Sequence, residues 1–452
     1  MSRERVVVVG GGLAGLSAAM ELSDAGVPVT LLESRSRLGG ATWSFRRNGL
    51  WFDNGQHVFL RCCTAYRNFL DRIGAAASVH LQDRMELPVV APGREVAVLR
   101  RNRLPAPLHL AGSLMRYHHL TLGDRMRLGR ALLPLRRADL DDPALDERTF
   151  AEFLRAHGQR PTAVERLWDL ICVPTVNLPA AEASLTLAAT VFQIGLLSDA
   201  AAGDIGWSQL PLARLHADPA AGALERAGAD LRTSSPVESV EVGAGGVVVA
   251  TATERIPAGA VIVAVPHDAA AALLPGVAGA DQWTALGTSP IVNVHLVYDR
   301  PVVPHAMAAV IDSPLQFVFD RTGTSGLGGG GQALAVSLSA ATDWVATPSD
   351  AIVAVAEREL ARLFPDAAAA RRLDALVIRE RAATFRGAPG TGALRPVTRT
   401  GVPGVYLAGA WTATGWPATM EGAVRSGVGA ARAVLADLST AALTAAEEEV
   451  VA

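Results

Sequence analysis

An α/β fold, with a parallel sheet and a second, α+β lobe, is what this 452-residue sequence predicts. Three observations predict it. A β-branched run leads into a glycine-rich turn and a helix at the N-terminus. A strand and a small-residue helix of the same character return near the C-terminus. The chain is also longer than one compact core comfortably fills, which argues for two lobes. Half of the residues are hydrophobic and 19% are charged, the balance of a well-packed globular protein.

Val6 to Val9 form a continuous β-branched run, the pattern of a parallel strand buried on both faces. Gly10, Gly12 and Gly15 follow as GxGxxG, with Leu13 and Ala14 inside the turn and helix formers from Leu16 to Ala25. Gly26 ends that helix, and VPVTLLE is a second strand closing on Glu33. Gly10 permits the tight turn, Gly12 lets backbone approach a pyrophosphate, and Gly15 lets helix and strand pack closely. The helix N-terminus offers free N–H groups and the positive end of its dipole to phosphate. Glu33, 18 residues past Gly15, suits the two hydroxyls of an adenosine ribose and excludes a 2′-phosphate. Strand, turn, helix, strand and terminal acid in that order make a Rossmann dinucleotide-binding unit. The continuation ESRSRLGG favours FAD over NAD. Ser34 and Arg35 lie beside the acid, with Arg35 in reach of adenosine phosphates. Gly39 and Gly40, followed by Ala41, bring a second stretch of backbone against a long cofactor. Arg37 reads as a solvated charge.

Near the C-terminus, GVYLAG is a strand ending in Gly409, and ATMEGAVRSGVGAARAVL is a helix starting at Thr419-Met420-Glu421. Its small-residue face suits close approach to a planar ring or to another helix. A flavin C2 carbonyl and N1, which become negative on reduction, suit such a helix N-terminus. In the middle of the chain, Val237 to Val242 and Gly246 to Thr253 read as a β-ribbon, followed by a buried strand from Ala260 to Val265. Val237 would set its backbone beside adenine. The nucleotide lobe is therefore expected in three pieces, 1–80, 205–285 and 385–452, with 81–204 and 286–384 forming the substrate lobe.

The net charge of −3 argues against nucleic acid as a partner. All 41 basic residues are arginine, which reads as genome composition. Cys62, Cys63 and Cys172 give no disulfide framework and no metal-ligand spacing, so a reducing compartment is expected and no metal. No signal peptide or transmembrane stretch is visible, and the expected location is cytoplasmic. From Arg100 to Arg137 there are nine arginines and one acid, Asp124, interleaved with apolar residues. That suits a helix pair lying on the inner, anionic face of a membrane, or a solvated basic face over a core.

FDNGQH, Phe52 to His57, gathers Asp53, Asn54, Gln56 and His57 around one glycine. The run is either a polar turn with local side-chain bonds or a surface facing a cofactor.

Together, the Rossmann start with ESRSRLGG, the VESVEV ribbon, VIVAVP and GVYLAGAWTATGWPATMEGAVRSG resemble the flavin amine oxidase and phytoene desaturase superfamily across nearly the whole chain. FDNGQH, CCTAYRNFLDRIG and TGWPATMEGAVRSG resemble its hydroxysqualene dehydroxylase branch. The resemblance implies a flavin amine oxidase-like fold with a discontinuous, GR2-like FAD-binding domain. It implies FAD held by Gly10, Gly12, Leu13, Ala14, Gly15, Glu33, Ser34, Arg35, Gly39, Gly40, Ala41, Val237, Gly409 and Met420. Two positions depart from the superfamily pattern. An arginine common after the Gly-Gly pair is Ala41 here, and an acid common after the strand-terminal glycine is Ala410.

The resemblance further implies a long-chain isoprenoid substrate, hydroxysqualene, whose hydroxyl is removed reductively to give squalene for hopanoid or sterol synthesis. Loss of water from an allylic carbon needs a general acid, and reduced flavin then supplies hydride. The pocket should be apolar and dry around the cation. By the same resemblance FDNGQH lies at the flavin. His57 is then the candidate proton donor, since its ordinary pKa lies near working pH. Asp53 would orient it or cap the following helix, and Gln56 would bond the flavin edge. Glu421 and Trp416 compete as catalytic residues, and Trp411 and Trp416 have ring faces suited to a cation. An oxidative isoprenoid desaturase, an amine oxidase and a non-catalytic prenyl-binding protein remain as alternatives. No second dinucleotide motif is visible, so the electron donor is open.

Overall fold

A computed structural model describes residues 5–243 and 246–451. The N-terminal unit forms as its sequence requires: strand β1 (Val6–Val9), helix α1 (Leu13–Asp24) and strand β2 (Val29–Leu32). Each of the four valines of β1 is 4% exposed or less, because this strand is the centre of a five-stranded parallel sheet. Its order is Asp230–Arg232, β2, β1, Ala260–Val263, Val405–Leu407, with Val6 in register between Val29 and Ala260. Helix α1 begins at Leu13, earlier than the expected Leu16, because Gly12 takes extended backbone and itself serves as the residue before the first turn.

The long C-terminal helix Met420–Val451 packs along α1. A Cβ on Gly427 would overlap the carbonyl oxygen of Ala14, so the small-residue face serves helix–helix approach rather than a ring. The expected two-stranded ribbon is a three-stranded antiparallel sheet, Val237–Gly243, Gly246–Thr251 and Arg255–Ala258. Thr251 turns the chain by donating its N–H to the Glu254 carbonyl at 2.9 Å, so the second strand stops short of Thr253. The following buried strand ends at Val263, not Val265.

A seven-stranded mixed sheet forms the second layer. Its order is Arg372–Phe385, Thr288–Tyr298, Gln332–Leu338, Phe317–Asp320, Met307–Val310, Glu86–Val90, Ala97–Arg100. Helices α2 (Thr64–Arg72), α3 (Ala111–Arg116) and α4 (Leu122–Arg137) complete the parts used below. The α4 residues Leu128, Ala131 and Leu135 are buried in one cluster with Phe150, Trp168 and Phe192. A hairpin, β3 (Ser44–Arg47) and β4 (Leu50–Asp53), packs Phe45 and Phe52 on Val297 and Ala333 of the large sheet, and the short strand β5 (Val58–Leu60) follows it. FDNGQH is the link from the end of β4 to the start of β5, and β5 pairs with Ile205–Ser208. No helix among the described residues is long and apolar enough to cross a membrane.

Candidate active site

The nucleotide cradle is built from two glycine turns pressed together. The backbone N–H of Gly39 donates to the Gly11 carbonyl at 2.8 Å, and a Cβ on Gly40 would lie 2.8 Å from the Gly12 Cα. Gly40 also has a φ of +56°, a conformation that glycine adopts without cost. Gly15 lies so close to β1 that a Cβ there would overlap the carbonyl oxygen of Gly10. The first turn of α1 has neither a side-chain cap nor an acid, and Leu13, Ala14 and Gly15 are buried. An uncapped helix start in that setting calls for an anion to accept from its N–H groups. At the tip of β2, Glu33 is 7% exposed and held rigidly. Its carboxylate accepts from Gly11 N at 2.7 Å, Arg35 N at 2.8 Å and the Ser34 hydroxyl at 3.2 Å. The chain before Val237 runs alongside: Ser235 N donates to the Glu33 carbonyl at 2.9 Å. Gly10, Gly12, Leu13, Ala14, Gly15, Glu33, Gly39 and Gly40 are thus brought together, while the side chains of Ser34, Arg35 and Ala41 are exposed at the rim. Arg37 is more than a solvated charge. It stacks 4.4 Å from the Trp43 ring and donates to the Gly40 carbonyl at 3.2 Å.

FDNGQH forms two networks rather than one. Asp53 accepts from Ser44 Oγ at 2.6 Å, Leu212 N at 3.0 Å and Arg321 Nη2 at 2.7 Å, with both members of the ion pair under 10% exposed. It neither orients His57 nor caps the following helix α2; it neutralises Arg321 and accepts from the first N–H of the helical run that begins at Leu212. Asn54 donates to the Ala41 carbonyl and to Glu380 Oε1, each at 2.9 Å, and Trp43 Nε1 donates to the same Glu380 oxygen at 3.1 Å. Glu380, on Arg372–Phe385, therefore ties the second glycine turn to the large sheet, leaving Oε2 without a protein partner among the described residues. His57 Nδ1 donates to the Gly55 carbonyl at 3.1 Å, which fixes the neutral tautomer with Nε2 open. Burial holds its pKa below the usual histidine value, although the Gly55 carbonyl, Asp53 and Glu380 pull the other way. The ring is therefore neutral at pH 7, and an ordinary histidine pKa is not what qualifies it as an acid. Gln56 is half-buried and makes only a 3.4 Å contact to the His57 carbonyl.

The C-terminal candidates separate. Glu421 is fully buried and caps α2: its two carboxylate oxygens accept from Ala65 N at 3.2 Å and Tyr66 N at 2.8 Å, and Arg425 Nε donates at 2.6 Å. That occupies Glu421 structurally and removes it from the candidate acids. Trp416 is half-buried beneath the Arg425 guanidinium at 5.1 Å. Trp411 is core: it donates to the Val265 carbonyl at 2.9 Å and packs on Trp283. Gly409 N donates to Ser426 Oγ at 2.8 Å, fastening the last parallel strand to the C-terminal helix that Met420 begins.

Besides Glu380 and Arg321, two more residues escaped the sequence reading. His295 donates from Nε2 to the Asp53 carbonyl at 2.9 Å, and burial depresses its pKa to about 4. Arg395 is buried beside the loop that starts at Ala410. It donates to the carbonyls of Ala410, Trp411, Thr412 and Trp416, at 2.5–3.3 Å, and has no carboxylate within ion-pair distance among the described residues. Burial lowers its pKa to about 10. Nothing local in the sequence marks either residue. Glu380 sits in the sequence between Arg379 and Arg381, where it reads as part of a charged surface run.

The sequence profile of flavin containing amine oxidoreductases matches residues 13–435, nearly the whole chain. The chain belongs to that family. As a flavin amine oxidoreductase it is an FAD-dependent enzyme, and the cradle fits the cofactor: glycines where backbone must meet backbone, a fixed carboxylate at the tip of β2 and an uncapped helix start between them. Curated relatives include hydroxysqualene dehydroxylase of Sinorhizobium fredii, 29% identical over 97% of this chain and 100% of the relative. The hydroxysqualene dehydroxylase of Rhodopseudomonas palustris is 30% identical over 95% of this chain and 98% of its own. The 15-cis-phytoene desaturase of Narcissus pseudonarcissus is 27% identical over 96% of this chain and 79% of its own. Among solved structures, cyclohexylamine oxidase from Brevibacterium oxydans superposes with a TM-score of 0.73 at 20% identity, over 97% of this chain and 100% of that one. A putrescine oxidase variant gives 0.73 at 20% identity, over 96% and 99%. These two likenesses establish the flavin amine oxidase fold.

Proposed function

We propose that this flavin oxidoreductase removes the hydroxyl of hydroxysqualene reductively to give squalene. The observation that carries the reading is the junction at Glu380. One carboxylate oxygen holds Asn54 and Trp43, so FDNGQH is fixed between the glycine cradle and the large sheet, with Glu380 Oε2 and His57 Nε2 both open. The two hydroxysqualene dehydroxylase relatives, matched almost end to end, support the substrate.

In this reading FAD is held by Glu33 and Ser34 at the ribose end, by the N–H groups of Leu13, Ala14 and Gly15 at the pyrophosphate, and by Gly39, Gly40 and Met420 further along. Bound and reduced, it supplies the hydride. The chain's own residues handle the proton. His57 Nε2 takes up a proton that Glu380 and Asp53 favour electrostatically, and the depressed pKa makes the resulting imidazolium a ready donor to the departing oxygen. Arg395 keeps the loop 410–416 in one arrangement, and Asp53 with Arg321 keeps β4 seated against the large sheet. An insoluble substrate also places the work at a membrane surface, with the protein peripheral to it.

The test is anaerobic incubation of purified protein with hydroxysqualene and dithionite-reduced FAD, with squalene measured by mass spectrometry. Squalene formed only with reduced flavin is the expected result, and His57→Gln should lower turnover while leaving flavin bound. No squalene from flavin-loaded enzyme overturns the assignment. Desaturation of a carotenoid precursor by the oxidised enzyme would move it to the phytoene desaturase relatives' chemistry.

A further inference from the structure

Large apolar side chains exposed to solvent are concentrated in one stretch of this protein. Of the 12 such residues among those described, eight fall between Val96 and Leu133. Val96 and Val98 stand on the edge hairpin of the large sheet, Leu104 and Leu108 on the segment leading into α3, Met115 on α3, and Leu122, Met126 and Leu133 on α4. The segments are contiguous: α3 packs on Ala97–Arg100 and on α4.

Helix α4 has two apolar stripes. Leu128, Ala131 and Leu135 face the core and are buried. At about 100° per residue, Leu122, Met126 and Leu133 fall on a single line on the opposite side, where a soluble helix carries polar residues. They are 60%, 66% and 50% exposed. Arg130, Arg136 and Arg137 flank that line and are exposed.

The charge on this face is unpaired. Of nine arginines between 100 and 137, only Arg100 and Arg101 reach a carboxylate among the described residues, in Glu86 and Asp204. Arg103, Arg116, Arg130, Arg136 and Arg137 have no ion-pair partner among the described residues, although this protein pairs many of its other arginines. The one acid in the stretch, Asp124, is 3% exposed and committed to Arg160. Acids resume only beyond α4, at Asp139, Asp141 and Asp142.

We infer that the face formed by residues 96–137 docks on an anionic lipid bilayer, with Leu122, Met126 and Leu133 entering the acyl boundary and the flanking arginines on the headgroup phosphates. Unpaired guanidinium groups around an apolar line fit that surface, because acyl chains cover the apolar side chains while phosphates satisfy the arginines. A protein partner would have to supply a matching acidic, apolar groove. A second copy of this face presents like charge to like charge. The inference gives a surface to the membrane role proposed above and rests on that reading only for its purpose; the docking stands or falls independently of the reaction.

The test is co-sedimentation of the flavin-loaded protein with vesicles of phosphatidylcholine alone and of phosphatidylcholine mixed with phosphatidylglycerol. Binding should require the anionic lipid and weaken with salt. Met126→Gln with Leu133→Gln should reduce partitioning about tenfold or more. Arg130→Gln, Arg136→Gln and Arg137→Gln together should reduce it roughly fivefold for each charge removed. All the altered side chains are exposed, so melting temperatures should stay at the wild-type value. The Met126, Leu133 variant should lose turnover on vesicle-borne hydroxysqualene and keep it on detergent-dispersed substrate. No binding to anionic vesicles overturns the inference, as does binding that the variants leave unchanged. A dimer in solution that the Met126, Leu133 variant converts to monomer overturns it as well. Binding that responds as expected in a protein yielding no squalene would refute the reaction and keep the docking face.

Discussion

Replacing Asp53 by asparagine exchanges one oxygen for an amino group, and the environment of that oxygen sets the cost. Oδ2 accepts from Arg321 Nη2 at 2.7 Å in a site where both side chains are under 10% exposed. Oδ1 accepts from Ser44 and from Leu212 N, and asparagine can keep both of those bonds. What is lost is the counter-charge. The new amino group sets donor against donor and leaves a buried guanidinium unpaired, which typically costs about 3–5 kcal/mol. Against a total stability of about 5–15 kcal/mol, that is a large share. Urea unfolding of flavin-loaded protein, followed by tryptophan and by flavin release, should show a markedly lower midpoint. Adding Arg321→Met removes the orphaned charge, and the double variant should recover part of the loss. Unfolding of Asp53→Asn within about 1 kcal/mol of wild type refutes the reasoning. If turnover were then lost on its own, Asp53 would belong with the proton-transfer groups after all.

Gly15→Ala should give protein that purifies without flavin and melts earlier, because its Cβ collides with the Gly10 carbonyl at the cradle; an absorption spectrum reads this directly. Glu421→Gln should lower stability by about 1–3 kcal/mol through the lost cap on α2, while turnover per flavin-loaded molecule stays the same; lost turnover at unchanged melting temperature would return Glu421 to the chemistry. Acid should weaken the fold through His216 and His295, whose pKa values burial depresses from 6.5 to about 3 and about 4. Both stay neutral in the folded state and would take up protons below 6.5 once unfolded, so their contribution is complete above pH 6.5 and lost as pH falls toward 4. At about 1.4 kcal/mol per unit, each removes roughly 2 kcal/mol by pH 5. Equal urea midpoints at pH 7 and pH 5 would contradict this.

The parts of the site readable in the sequence are those whose cause is local. The valines of β1, the glycines of the first turn and Glu33 owe their conformation to neighbours within one βαβ unit, and each residue type states its own geometry. Residues that owe their role to distant partners were not readable. Asp53 and Glu421 look like free acids in the sequence; one is consumed by Arg321, 268 positions away, and the other by α2, some 355 positions away. Glu380 and Arg395 matter through the loops they reach, and single-chain spacing cannot express that. The small-residue helix allowed two readings, and only the contact between Gly427 and Ala14 decided between them.

The order of the five-stranded sheet constrains how the protein is made. β1 leaves the ribosome first, yet one of its two neighbours, Ala260–Val263, lies 254 positions later in register, and the strand beyond that is Val405–Leu407. At about 5–20 residues per second, roughly 10–50 s of synthesis pass before the gap beside β1 can close. Throughout that interval four consecutive valines present unpaired backbone on one side, an invitation to pair with another nascent chain. Yield in a heterologous host should therefore depend more on chaperone supply and translation speed than on the stability of the finished enzyme, and truncations from the C-terminus should aggregate instead of leaving a smaller folded unit.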